Sequence, residues 1–103
     1  MNNIQQMLAK AQKLQAKVAE TQKELEKKET TGTSGSGAVS ILMTLKGEVK
    51  SISIDKEVVN PNEKDLLEDL IVAAFADAKQ KADKMYEDGM KEATGVVGLP
   101  GLF

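Results

Sequence analysis

The sequence predicts a two-layer α+β domain, with a long helix, two or three antiparallel strands and a second long helix in that order. Three observations carry this. An apolar seam with steps of three and four runs from Ile4 to Leu25, apolar and polar residues alternate from Val39 to Leu45, and a second helical face runs from Leu67 to Met85.

In the first segment Ile4, Met7, Ala11, Leu14, Val18, Thr21 and Leu25 repeat without a break over about three heptads, the spacing of a coiled-coil seam. Gln, Lys, Glu and Ala fill the positions between them, and neither Gly nor Pro interrupts residues 2–29. A helix of roughly 25 residues is about 40 Å long, longer than a compact domain of this size is wide. Part of the seam must therefore face something beyond its own domain.

Thr30 to Gly37 combines β-branched residues with three glycines, which suits a short strand running into a turn. From Ala38 to Leu45, Val39, Ile41, Met43 and Leu45 point one way and Ser40 and Thr44 the other, as in a half-buried strand. Lys46-Gly47-Glu48 makes a tight turn, and Val49 to Asp55 is the returning strand with Ile52 and Ile54 on its inner face. Val49 is out of phase with those isoleucines, so a bulge is expected near Ser51. Asn60-Pro61-Asn62-Glu63 carries the signs of a helix start, and Asp65, Glu68 and Asp69 suit the positive end of the helix dipole. Leu67, Leu70, Ile71, Ala74, Phe75, Ala78, Ala82 and Met85 then mark one face of a helix reaching about Ala93, with Gly95 ending it. Both helices are expected to cover one face of the sheet. The domain is thus expected over 1–94, and 95–103 as a flexible apolar tail containing Gly and Pro.

A domain of 103 residues buries only about 60–65% of the surface of its unfolded chain. Phe75, Tyr86 and Phe103 are its only aromatic residues, so the core is thin and self-association is the expected remedy. Cys and His are both absent. That excludes disulfides and thiol catalysis, removes the usual general base at neutral pH, and takes away the preferred zinc ligands. The acids sit mainly on outward helix faces beside lysines, where perturbed ionisation is not expected, so no enzyme and no cofactor are expected. The first residues lack the features of a signal peptide and no apolar run is long enough to span a bilayer, so a cytoplasmic protein without a membrane partner is expected.

The net charge of −2 hides an uneven distribution. Residues 1–19 hold Lys10, Lys13 and Lys17 and no acid, whereas 57–69 hold five acids and the single Lys64. Lys10, Lys13 and Lys17 stand at i, i+3 and i+7, forming a stripe about a quarter turn from the apolar seam. Taken alone, such a stripe is an ordinary solvated face more often than a phosphate-contacting edge. Lys81 and Lys84 form a weaker patch among Asp77, Asp83, Glu87 and Asp88, where i,i+4 pairs such as Asp77 with Lys81 and Asp88 with Lys84 are equally expected. The glycines of Thr31–Gly37 could cradle a phosphate, but they precede a strand and lack the Gly-Lys-Ser/Thr signature, so a turn explains them better. The seam as a cofactor groove is weaker than the seam as core or dimer contact.

Several segments are distinctive in combination: Met7-Leu-Ala-Lys-Ala-Gln-Lys-Leu-Gln15, Thr31-Gly-Thr-Ser-Gly-Ser-Gly-Ala-Val39, Gly47, Ile52-Ser-Ile-Asp55, Leu66-Leu-Glu-Asp-Leu-Ile-Val-Ala-Ala-Phe-Ala-Asp-Ala78 and the Gly-Leu-Pro-Gly-Leu-Phe ending. Together they resemble the YbaB/EbfC nucleoid-associated family. The resemblance covers essentially the whole chain. It implies an α-β-β-β-α fold with a three-stranded antiparallel sheet, a homodimer shaped like tweezers, and binding of DNA in the nucleoid with low sequence preference. It also reverses the weighing of the lysine stripe, making Lys10, Lys13 and Lys17, with Lys81 and Lys84, the candidate contacts to double-stranded DNA.

All fourteen basic residues are Lys. Bidentate recognition of guanine is mainly an Arg contact, so binding should run through phosphates, depend steeply on salt and discriminate poorly between sequences. No aromatic residue stands near the stripe, which disfavours single-strand binding by base stacking. The competing reading is a protein-interaction scaffold that uses the seam and the apolar tail, with DNA binding incidental, and the negative net charge leans toward it. No small-molecule substrate is expected under either.

Overall fold

A computed structural model describes residues 2–95, so the tail expected over 95–103 lies outside the described residues except for Gly95. Helix α1 (Asn2–Glu26) leads into strands β1 (Glu29–Ser34), β2 (Val39–Thr44) and β3 (Val49–Ile54), and helix α2 (Lys64–Gly95) follows. The strands form one antiparallel sheet in the order β1-β2-β3, so all three expected strands are present. On β2 the register shifts between Leu42, opposite Ser51, and Met43, opposite Val49. Lys50 is therefore the extra residue of a bulge, one position from where the phase of Val49 predicted it.

Two single-turn 3-10 segments, Lys56–Val58 and Pro61–Glu63, join β3 to α2. Asn60 is a cap, as predicted: its Oδ1 accepts the Asn62 N–H at 3.0 Å. The turn it caps is the tight Pro61–Glu63 segment, which runs straight into α2 at Lys64.

The core lies between α2 and the β1–β2 half of the sheet. Val39, Ile41 and Met43 are at most 1% exposed, and on the facing helix Ala74, Ala78 and Ala82 are wholly buried. Alanine at this i, i+4 spacing gives the helix a flat face that can approach a strand closely. Gly32 completes the contact: a Cβ at that position would overlap the backbone of Ala74 and Ala78. Leu67, Leu70, Ile71, Tyr86 and Met90 pack around this centre.

α1 does not cover the sheet, contrary to the expectation that both helices would. Its Leu25 instead seats on Gly89, where a Cβ would come within 2.6 Å of the leucine side chain. Because Leu25 meets Gly89 while Gly32 meets Ala74 and Ala78, the chain travels forward along α1 and β1 as α2 is traversed backward. The two helices are thus antiparallel and overlap only at their C-terminal ends. At equal rise, Gly95 lies level with about residue 19 of α1, and the preceding part projects by about 25 Å. The radius of gyration is 20.0 Å and the longest dimension 75 Å, against a radius of about 13 Å for a compact chain of this length.

Replacing Gly32 by Ala forces a methyl group into helix backbone that cannot rotate away. The substitution is expected to destabilise the fold by about 3 kcal/mol, measured as a lowered midpoint in urea denaturation.

Candidate nucleic-acid interface

Lys10, Lys13 and Lys17 all stand exposed on α1, on or beside its projecting half. With successive helical residues turned by about 100°, the three fall within an arc of about 60°. None of them is in an ion pair among the described residues, whereas Lys46, Lys64, Lys79, Lys81 and Lys91 each are. Continued along the helix, the same arc meets Glu20 and Glu24, so its sign reverses where α1 reaches α2. Lys17 stands at that boundary, sharing the cleft between the helices with Glu24 and Glu92. Lys10 and Lys13 therefore have the least neutralised surroundings of the three.

Lys81 and Lys84 are not gathered with this stripe. Counted along the antiparallel helices from the Leu25–Gly89 contact, Lys84 is displaced from Lys17 by about 20 Å and Lys81 by slightly more. Lys81 is also engaged, its Nζ lying 2.9 Å from the Asp77 carboxylate and donating to the Thr31 carbonyl at 3.3 Å. Lys84 is exposed and in no ion pair among the described residues; the expected pairing with Asp88 does not form, and Lys79–Asp83 at 2.6 Å and Lys91–Glu87 at 3.0 Å are found instead. Such exposed pairs contribute little to stability, on the order of 0–1 kcal/mol.

The Asp77–Lys81 pair has a local task that spacing alone does not reveal. Asp77 Oδ2 accepts the Thr33 N–H at 2.9 Å while Lys81 donates to Thr31, so the pair occupies outward-facing backbone groups of β1, an edge strand. The Thr33 N–H, with Lys81 adding to it, holds the Asp77 carboxyl below its ordinary value of 3.8. The Gly-rich segment is likewise structural. The N–H groups of Gly37 and Ala38 donate to Ser34 and Gly35 at 3.1 Å within the β1–β2 turn, which leaves them unavailable to an anion. Among the described residues no group of three or more His, Cys, Asp or Glu could hold a metal ion, and no helix is long and apolar enough to cross a membrane.

Ile52 and Ile54 share the inner face with Ile41 and Val39, their partners across the ladder. They are nevertheless 49% and 36% exposed, because α2 covers β1 and β2 and leaves β3 bare. Lys79 passes over Gly47 at the β2–β3 turn, so the flank of α2 one and two turns earlier, with Phe75 and Val72, borders this bare strand. Both of those residues are exposed as well. The result is an uncovered apolar strip made of one strand and one helix flank.

Residues 1–97 match the YbaB/EbfC DNA-binding family. The chain belongs to that family. A nucleoid-associated protein of Rhodospirillum rubrum is 48% identical to it over 97% of this chain and 94% of the relative. A nucleoid-associated protein of Rickettsia felis is 42% identical over the whole of this chain and 96% of its own. The crystal structure of an uncharacterized protein, HP0035, from Helicobacter pylori shares the fold at a TM-score of 0.70 and 17% identity, covering 91% of this chain and 96% of that one. The YbaB/EbfC family and these relatives are described by DNA binding and nucleoid association, not by catalysis.

Because the Asp77 carboxyl ionises more readily folded than unfolded, its contribution is present above its unfolded value near 3.8 and is lost as pH falls through the lower folded one. Asp77→Asn is expected to lower stability at neutral pH and to flatten the loss of stability below pH 3.8, measured by thermal melts across an acid pH series.

Proposed function

We propose that this member of the YbaB/EbfC family binds duplex DNA in the nucleoid as a homodimer, chiefly through contacts of lysines with phosphates, and thereby influences gene expression from within the cytoplasm. The observation that carries this reading is the acid-free stripe of Lys10, Lys13 and Lys17 on a helix that projects clear of its own domain, with none of the three engaged by a carboxylate among the described residues. A projecting cationic edge can approach a duplex without bringing the acidic remainder of the chain against it. Lys84 is an outlying contact. Lys81 is a weaker one, since it must share itself with Asp77 and Thr31.

The homodimer reading is supported by the strip of Ile52, Ile54, Val72 and Phe75, which one chain leaves in water. A second copy that covered it would supply the core that α2 withholds from β3, and would double the lysine edge. Sedimentation should show a dimer for the natural chain, with Ile52→Asp combined with Phe75→Asp giving a folded monomer. A natural chain that sediments as a monomer at all concentrations would exclude the assembly.

Each phosphate neutralised contributes about −0.9 to the dependence of log affinity on log salt, so six lysines of a pair give a slope of about −5. Titrating duplex DNA against salt measures this. Lys10→Glu with Lys13→Glu and Lys17→Glu is expected to weaken binding roughly a hundredfold at moderate salt and to flatten the slope, with the fold intact. A folded triple variant that binds as before would move the interface elsewhere, and absence of binding by the natural chain even at low salt would remove the reading altogether.

A further inference from the structure

Positions 3–13 of α1 are exposed on every side, so this stretch meets a ligand as a bare helical rod. Such a rod is about 10–12 Å across, and the major groove of B-form DNA is about 12 Å wide. Residues 2–22 also hold seven of the chain's ten Asn and Gln residues. The side-chain amide pairs at two points with adenine, donating to N7 and accepting from the N6 amino group. The absence of Arg thus deprives guanine of its usual partner and leaves adenine's in place.

Only part of this amide set faces the lysines. At about 100° per residue, Gln6 falls inside the arc of Lys10, Lys13 and Lys17 and Asn3 about 20° beyond its edge, whereas Gln5 and Gln12 lie over about 100° from its centre. Asn3 and Gln6 are both exposed. Gln6 stands one turn ahead of Lys10, about 6 Å along the axis, which is half the width of the groove. A helix tip that rests Gln6 on the groove floor therefore brings Lys10 to the phosphate wall. Met7, exposed and about 40° from Asn3, adds an apolar group suited to the methyl of the thymine paired with that adenine.

We propose that the free end of α1 enters the major groove and reads A·T pairs through Gln6, with Asn3 beside it, while Lys10, Lys13 and Lys17 hold the flanking phosphates. This assignment rests on the duplex-binding role of the lysine edge. Residues 1–19 carry no acid that would accept from the amino group of cytosine, so the tip has no competing preference for G·C pairs beyond the point charges of its lysines. The phosphates supply most of the affinity and the amides supply the choice.

Alternating A·T and alternating G·C duplexes of equal length present the same phosphates. At one moderate salt concentration the full chain is expected to bind the A·T duplex at least about tenfold more tightly. Asn3→Ala with Gln6→Ala is expected to bring the two affinities within about twofold and to leave the salt slope unchanged, since no phosphate contact is lost. Gln5→Ala with Gln12→Ala should keep the full preference. Replacing adenine by 7-deaza-adenine removes the N7 acceptor from the major groove, leaves the minor groove and the base pairing intact, and should weaken binding of the A·T duplex at least about threefold. Equal affinity of the natural chain for the two duplexes would overturn the proposal, as would a preference that survives undiminished the loss of Asn3 and Gln6 or of adenine N7. Equal affinities with an intact salt slope leave the duplex-binding reading standing, whereas absence of binding to both duplexes at low salt removes that reading and this one with it.

Discussion

Helix α2 can lie directly on β1 only because position 32 has no side chain and the helix presents Ala74 and Ala78 there. A strand and a helix normally keep the distance that interleaved side chains impose; here the backbones themselves set the spacing. That approach brings Asp77 within reach of Thr33 and aligns Leu25 with Gly89, so the placement of α1 follows from it. The projecting lysine edge is a distant consequence of three small residues.

The same economy leaves the domain incomplete. Alanines and one glycine bring the layers together but bury little area each, and the helix they admit is too narrow to roof three strands. Hydrophobic residues therefore remain in water on the inner face of β3 with the adjoining flank of α2, and on the free half of α1. On β3 this is not incidental exposure, since its isoleucines sit in ladder register with the core.

Much of the architecture was legible in the residues. The alternation of Val39, Ile41, Met43 and Leu45 identified the central strand and its buried side, the phase slip at Val49 located the bulge to within one residue, and the unbroken seam gave α1 its length. What escaped was everything that depends on which surface meets which. Alternation states the face of a strand but not whether a helix reaches it, so Ile52 and Ile54 read as core although they are exposed. Periodicity likewise states that α1 has an apolar side without saying how much of α2 lies alongside. For the candidate interface, the charge asymmetry of residues 1–19 pointed to Lys10, Lys13 and Lys17. The capture of Lys81 at the edge of β1 could not be foreseen, because it requires a contact between residues fifty positions apart.

The occupied margin of β1 also limits how the molecule can assemble. With Asp77 and Lys81 holding the outward amide of Thr33 and the outward carbonyl of Thr31, the β1 edge is a poorer template for a neighbour's backbone than the β3 edge. Strand addition is thereby favoured on the side of β3, and a unit extended on one side alone pairs once and stops. Two charged side chains one helical turn apart thus guard one margin of a sheet whose other margin carries a bare apolar strand.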